Sequence, residues 1–134
     1  ARMDLIRDET GTQALIGYVL DVGDPAGARC RLDLDDRHLN RQGMLHGGLA
    51  ATLLDSAMGA TGSLTVDATG RHPFTTLSLT VNYLAPGRPG RIEATGRVTG
   101  GGRATLFIEG QLRHGDGTLI ATATGVFRKS RQEP

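Results

Sequence analysis

The sequence predicts an α+β domain in which one antiparallel sheet of about six strands wraps around one long helix. Six segments alternate apolar and polar residues, one segment repeats its apolar residues at helical spacing, and turn-forming residues separate them. The 134 residues suffice for a single domain over 1–134, and 20 glycines suit the turns of a sheet better than a helix bundle. Packing the helix against one face of the sheet is the simplest way to bury the apolar side chains of both elements.

The strands follow from their period-two pattern, taken in chain order. Residues 1–14 are polar and are expected to form an arm or a short helix, and 128–134 a tail. Leu77 and Val81 are expected on one face of their strand and Thr76 on the other face. The polar residues of that second face suggest that this strand is an edge strand, available for pairing with a second subunit. Asp116-Gly117 predicts the last hairpin. The predicted strands are Leu15–Val22, Ala28–Asp35, Leu77–Tyr83, Ile92–Val98, Ala104–Leu112 and Leu119–Phe127.

Residues 47–62 are expected to form the helix, because Leu49, Leu53 and Ala57 recur four positions apart. Apolar side chains cover most of its circumference, so the helix should be buried. A narrow stripe is the exception, and it contains one acid, Asp55. A buried carboxylate is costly unless it is paired or used, which makes Asp55 a candidate functional residue. The stripe consists of Gly48, Thr52, Asp55, Ser56 and Gly59.

Composition argues against several classes of protein. The net charge of +1 gives no reason to expect nucleic-acid binding. Cys30, the single cysteine, excludes an internal disulfide, fits a reducing cytosol and falls on the apolar face of its strand. The histidines lack metal-ligand spacing, and we assign His38, His72 and His114 to the surface or to loops. No apolar run approaches 18 residues, so a soluble cytoplasmic protein without a metal is expected.

The residues at the start of the helix are the strongest candidates for a functional site. Gly47 and Gly48 open it and His46 precedes it, so exposed N–H groups can bind negative charge there. Asp55 follows Gly47 by eight residues, which places them about 12 Å apart on one helix. A carbonyl held about 3 Å from an N–H donor therefore cannot also touch that acid. Either the two groups do not cooperate or the acid comes from a second copy of the chain, and we favour the second copy.

The pattern Asn40-x-x-Gly43-x-x-His46-Gly47-Gly48 with Asp55, in this order of elements, resembles the hotdog-fold acyl-CoA thioesterases. The closest resemblance is to their PaaI-like, phenylacetate-pathway subfamily. The likeness runs from Leu15 to Phe127, and Leu77-x-Leu79-x-Val81-x-Tyr83-Leu84-x-Pro86 also matches. It implies hydrolysis of an acyl-CoA thioester, no cofactor apart from the coenzyme A of the substrate, and homodimers that commonly pair into homotetramers.

The resemblance also implies roles for individual residues. The Gly47 N–H would bind the thioester carbonyl, His46 would shape the turn and assist the carbonyl, and Asn40 would orient the carbonyl or the attacking water. Asp55 from the partner subunit would act as general base or nucleophile, and Thr76 would help to hold the water or the acid. Substrate-binding residues would be Gly48, Tyr83, Arg88 and Arg103, the last three as contacts to the CoA portion by position alone.

Other interpretations of the same residues remain open. His46-Gly47-Gly48 could be only a tight helix entrance, Asn40 could cap a turn, and Arg88 could be ordinary surface charge. The same fold could also serve a non-catalytic acyl-CoA sensor or a hydratase or dehydratase. The α/β-hydrolase route is excluded, because no serine lies in a Gly-x-Ser-x-Gly elbow and Cys30 is not paired with a histidine. The sequence does not distinguish aryl-acetyl, aromatic and medium-chain acyl groups, CoA and carrier-protein thioesters, or dimer and tetramer.

Overall fold

An antiparallel sheet packs one face against a long helix, which confirms the predicted fold class. The computed structural model describes residues 4–131, so 1–3 of the predicted arm and 132–134 of the predicted tail lie outside it. The helices are α1 (Gly11–Ile16) and α2 (Gly47–Leu64), with a 3₁₀ turn at Asp36–His38. The strands are β1 (Leu5–Ile6), β2 (Val19–Asp21), β3 (Arg29–Leu34), β4 (Phe74–Tyr83), β5 (Gly90–Gly101), β6 (Thr105–His114) and β7 (Leu119–Lys129). Their order in the sheet is β1-β2-β3-β5-β6-β7-β4.

The N-terminal region differs from the prediction. The Thr10 side chain accepts a hydrogen bond from the Gln13 N–H at 3.1 Å and caps α1, and Gly17 ends that helix with a φ of 92°. The residues from 11 to 16 are therefore helical, and the strand expected from Leu15 begins only at Val19. The additional strand β1 pairs with β2, which raises the strand number from about six to seven. Local capping signals outweighed the period-two pattern here.

Strand β4 contains a bulge that the sequence did not reveal. Thr76 is paired with Phe127 and Ser78 with Val126, so the register skips Leu77. The bulge directs Thr76 toward α2 and leaves Leu77 55% exposed. The predicted faces of Leu77 and Thr76 are therefore wrong.

Helix α2 lies close to the sheet because glycines face it. A Cβ at Gly96 would lie 2.5 Å from Thr61 Oγ1, and one at Gly110 would lie 2.8 Å from Met58 Sδ. Met58 is fully buried, and burying a side chain of that size stabilises the fold by about 1.5–3 kcal/mol. Cys30 is also fully buried, which confirms its predicted place in the core. Burial raises the pKa of its thiol, so Cys30 is not available as a thiolate nucleophile.

The β4 side of the molecule is open. β4 pairs with β7 alone among the strands of residues 4–131, which confirms the predicted edge. It exposes Leu77 and Tyr83, and its Thr76 reaches the polar stripe of α2, where Asp55 is half-buried. Most of the remaining α2 residues are buried, Leu53, Ala57 and Met58 among them, in agreement with the predicted buried helix. The unpaired edge of β4 and the polar stripe of α2 around Asp55 therefore lie on the same side of the molecule, which we call the β4 flank.

Candidate active site

The start of α2 presents one free amide. His46 caps the helix, and its Nδ1 accepts a hydrogen bond from the Gly48 N–H at 2.9 Å. The His46 carbonyl accepts from the N–H groups of Leu49 at 2.9 Å and Ala50 at 3.1 Å. The Gly47 N–H has no acceptor within residues 4–131. Gly47 therefore carries the unsatisfied donor that a helix N-terminus offers to negative charge.

The His46 ring is exposed and its bonding fixes the tautomer. Because Nδ1 accepts the Gly48 N–H, the neutral ring carries its proton on Nε2, which can donate outward. A Cβ at Gly48 would lie 3.0 Å from His46 Cε1, so a side chain there would push against the ring.

Glycine at position 47 is not required by the fold. A Cβ there would meet only the Tyr83 ring, at an ordinary 3.5 Å, and the backbone is not in the left-handed region. The free Gly47 amide therefore follows from its place in the first turn of α2 and not from a strained backbone.

A cavity of about 400 Å³ lies beside this amide. Tyr83 closes one side, and its hydroxyl donates to the Gly47 carbonyl at 2.7 Å. The Asn40 Oδ1 accepts the N–H groups of Gln42 at 2.9 Å and Met44 at 3.2 Å, so Asn40 does cap its turn. Its amide nitrogen has no partner within residues 4–131 and remains able to donate. The lining includes Asn40, Leu45, Gly47, Tyr83, Leu84 and Ile120.

Asp55 lies apart from this cavity in the same chain. Thr76 donates its hydroxyl to Asp55 Oδ1 at 2.6 Å, and the second carboxylate oxygen has no partner among the described residues. None of the ion pairs found within residues 4–131 includes Asp55. Asp55 does not line the cavity, in agreement with the spacing of about 12 Å along the helix. One chain thus groups Asn40, Gly47 and Tyr83 in one place and the acid with its threonine in another.

The two predicted arginines lie at opposite ends of the sheet. Arg88, between β4 and β5, lines a cavity of about 530 Å³ that shares Ala85 and Pro86 with the first cavity. Arg103 lies in the turn after β5, whose 12 residues span about 40 Å. Within one chain Arg88 is therefore close to the Gly47 cavity, whereas Arg103 is remote from it.

Other features give no competing site. A larger concavity, about 660 Å³, lies on the outer face of the sheet, where Arg29 pairs with Glu93 at 2.8 Å. No three or more His, Cys, Asp or Glu side chains within residues 4–131 are grouped so that they could hold a metal ion. None of the helices described there is long and apolar enough to cross a bilayer.

His38 lies in a connecting turn, as one of its two predicted places allowed, but its side chain is buried. His38 is 2% exposed, not at the surface, and lies in the 3₁₀ turn before Asn40. Its Nδ1 accepts the Asp35 N–H at 3.0 Å, and the Asp35 side chain accepts from Arg37 N–H at 3.0 Å. The spacing of Asp35 and His38 is that of a capping box, a signal that could have identified this turn.

Comparison with known proteins agrees with the family resemblance noted in the sequence. Residues 42–121 match the family described as the thioesterase superfamily. Human acyl-coenzyme A thioesterase 13 is 31% identical over 99 residues, which are 72% of this chain and 69% of that protein.

Solved structures share the fold. The BH2602 protein of Bacillus halodurans, whose structure was determined with CoA, is 26% identical with a TM-score of 0.83, covering 96% of this chain and 83% of its own. The PaaI protein of Escherichia coli, from the phenylacetic acid degradation operon, has a TM-score of 0.77 over 92% of this chain and 86% of its own. At 19% identity, the likeness to PaaI shows the fold alone.

Proposed function

Because this chain belongs to the thioesterase superfamily, we propose that it hydrolyses an acyl-CoA thioester to the free acid and CoA. The free Gly47 amide beside the 400 Å³ cavity is the observation that carries this proposal. Attack on a thioester builds negative charge on the carbonyl oxygen. A helix-end N–H aimed at that oxygen contributes about 3–4 kcal/mol to transition-state stabilisation. The free amide of Asn40 is suited to orient the same carbonyl or the attacking water.

The acid in this reaction is Asp55 of a second copy. Asp55 and Gly47 of one chain are too far apart to act on one carbonyl, whereas both open onto the β4 flank. Thr76 beside Asp55 and Tyr83 beside Gly47 lie near opposite ends of β4. Two copies that join their β4 edges antiparallel about a two-fold axis would therefore bring each acid toward the partner's Gly47. The exposed Leu77 and Tyr83 on that edge supply apolar surface for the contact.

The hydrolytic step uses the free oxygen of Asp55. As general base, Asp55 would take a proton from water as the water attacks the carbonyl, and collapse of the intermediate would expel the CoA thiolate, which takes up the proton. As nucleophile, Asp55 would instead attack the carbonyl and form an anhydride as the C–S bond breaks and the CoA thiolate leaves; water would then cleave the anhydride, which releases the acid, restores the Asp55 carboxylate and supplies the proton for the thiolate. Thr76 holds the other carboxylate oxygen in both cases. His46 shapes the Gly47 turn, and Tyr83 and Arg88 are assigned to the CoA portion.

Release of free thiol from a panel of acyl-CoA thioesters tests the function. We expect turnover with at least one of the aryl-acetyl, aromatic or medium-chain thioesters. Carrier-protein thioesters of the same acyl groups test the alternative form of the substrate. Tight binding of acyl-CoA without thiol release would favour a sensor, and hydration of an enoyl thioester without thiol release would favour a hydratase.

Mixed dimers test the shared site. A chain with Asp55→Asn and a chain with Gly47→Pro should each be inactive alone. In a heterodimer one of the two sites would combine an intact Gly47 with an intact Asp55. Random mixing yields heterodimers for half of the molecules, so about a quarter of wild-type turnover should return.

The outcome of mixing depends on correct pairing. Heterodimers purified through two different affinity tags should show about half of wild-type turnover. Verified heterodimers without any rescue would mean that both groups act within one chain.

A further inference from the structure

A buried histidine connects three segments behind the candidate site. The His38 Nε2 donates to the Ile16 carbonyl at the end of α1, at 2.8 Å, while Nδ1 accepts the Asp35 N–H at 3.0 Å. The neutral ring with its proton on Nε2 satisfies both main-chain groups. An apolar side chain at position 38 would leave the part-buried Ile16 carbonyl and the Asp35 N–H without these hydrogen bonds, which costs free energy.

The main chain of His38 closes the loop that carries Asn40. Its carbonyl accepts the His46 N–H at 2.9 Å, and Leu39 and Leu45 form a β-bridge just inside this contact. Residues 39–45 therefore form a loop that is closed at its base by the hydrogen bond between His46 and His38. Gly47 is also held by the buried helix α2 that it begins, whereas Asn40 is held by the closure at His38 and His46 and by hydrogen bonds inside the loop, such as Asn40 N–H to the Met44 carbonyl at 2.7 Å.

We propose that His38 is a positioning residue that sets the Asn40 amide at the cavity in which the thioester reacts. The proposal rests on the proposed hydrolase function. His38 does not line the cavity, so its effect on the substrate passes through Asn40, two residues further along the chain. A planar ring anchored at both nitrogens holds the loop in one place, and displacements of about 1 Å in such contacts cost up to about 100-fold in rate.

A double-mutant cycle of His38→Leu and Asn40→Ala separates positioning from stability. We expect His38→Leu to lower kcat about 10–100-fold with a smaller effect on KM. In the Asn40→Ala background the same change should cost less than about threefold, because the group it positions is already gone. An equal loss in both backgrounds would overturn the proposal. If His38→Leu does not fold, His38→Gln takes its place in the same cycle, and a smaller loss of kcat is expected because its amide can still donate to the Ile16 carbonyl.

A matched control exists at the far end of the sheet. The His72 Nε2 also contacts a main-chain carbonyl, that of Ser130 at 3.0 Å, and His72→Leu should leave kcat unchanged. A loss of kcat in His72→Leu equal to that in His38→Leu would overturn the proposal.

Hydrogen exchange gives a readout independent of turnover. The His46 amide, bonded to the His38 carbonyl, should lose protection in His38→Leu but not in His72→Leu. Unchanged protection in His38→Leu would overturn the proposal. A wild-type chain that cleaves no thioester would refute the hydrolase function, while the exchange result would still decide whether His38 holds the loop.

Discussion

Replacing Asp55 with asparagine is expected to lower kcat by about 10²–10⁴-fold without loss of the fold. The amide is nearly the same size as the carboxylate, and the Thr76 hydroxyl can still donate to its oxygen as it does to Asp55 Oδ1 at 2.6 Å. What disappears is the free, charged oxygen that would take a proton from water or attack the carbonyl. Thiol release at saturating acyl-CoA measures kcat, and thermal unfolding and sedimentation monitor the fold and the assembly.

Two neighbouring side chains provide graded comparisons. Thr76→Val keeps the carboxylate but removes its hydrogen bond, so it should reduce kcat by about tenfold, less than the loss of the acid itself. Ser56→Ala is the matched control on the same stripe of α2, because the Ser56 hydroxyl donates to the Tyr18 hydroxyl at 3.3 Å and not to Asp55. Ser56→Ala should leave kcat unchanged. An Asp55→Asn protein with wild-type turnover would remove the acid from the mechanism.

The core of the fold could be predicted because its signals are local and redundant. The helix expected at 47–62 is observed at Gly47–Leu64, since its apolar spacing persists through its whole length. Cys30 is in the core where alternation placed it. The Asp116-Gly117 turn does join the last two strands.

The errors arose where a second part of the chain decides the structure. The bulge at Leu77 leaves the sequence alternation intact, and only the contact of Thr76 with Asp55, 21 residues away, reveals why the strand shifts. His38 is buried because Ile16, 22 residues earlier, offers a carbonyl to its ring. Neither partner can be read from the residues around the position itself.

Part of the arrangement around the candidate site could be read from the sequence. The motif contains Asn40 and Gly47, which line the cavity, and helix geometry alone indicated that Asp55 is too far from Gly47 to serve the same carbonyl. The sequence allowed Asn40 to cap a turn, but it could not indicate that the side-chain nitrogen of Asn40 stays free while the oxygen caps. It also could not place Arg103, because the distance from the cavity depends on the length of β5.

Gly47→Pro is expected to lower kcat/KM by about 10²–10³-fold while the thermal stability stays close to that of the wild type. Proline is well tolerated at the first position of a helix, because its missing N–H has no partner inside the helix. The preceding residue, His46, has a φ of −60° and a ψ of 128°, which is compatible with a following proline. The substitution therefore removes the proposed donor to the carbonyl and changes little else in the fold.

Gly47→Ala separates the loss of the donor from crowding at the cavity. Alanine keeps the N–H and adds a methyl group that would lie 3.5 Å from the Tyr83 ring, an ordinary contact. If the amide stabilises the transition state, Gly47→Ala should retain most of the activity that Gly47→Pro loses. Equal losses in both variants would mean that the glycine serves only to admit the substrate, and the stabilisation of the carbonyl oxygen would then have to come from Asn40 or His46.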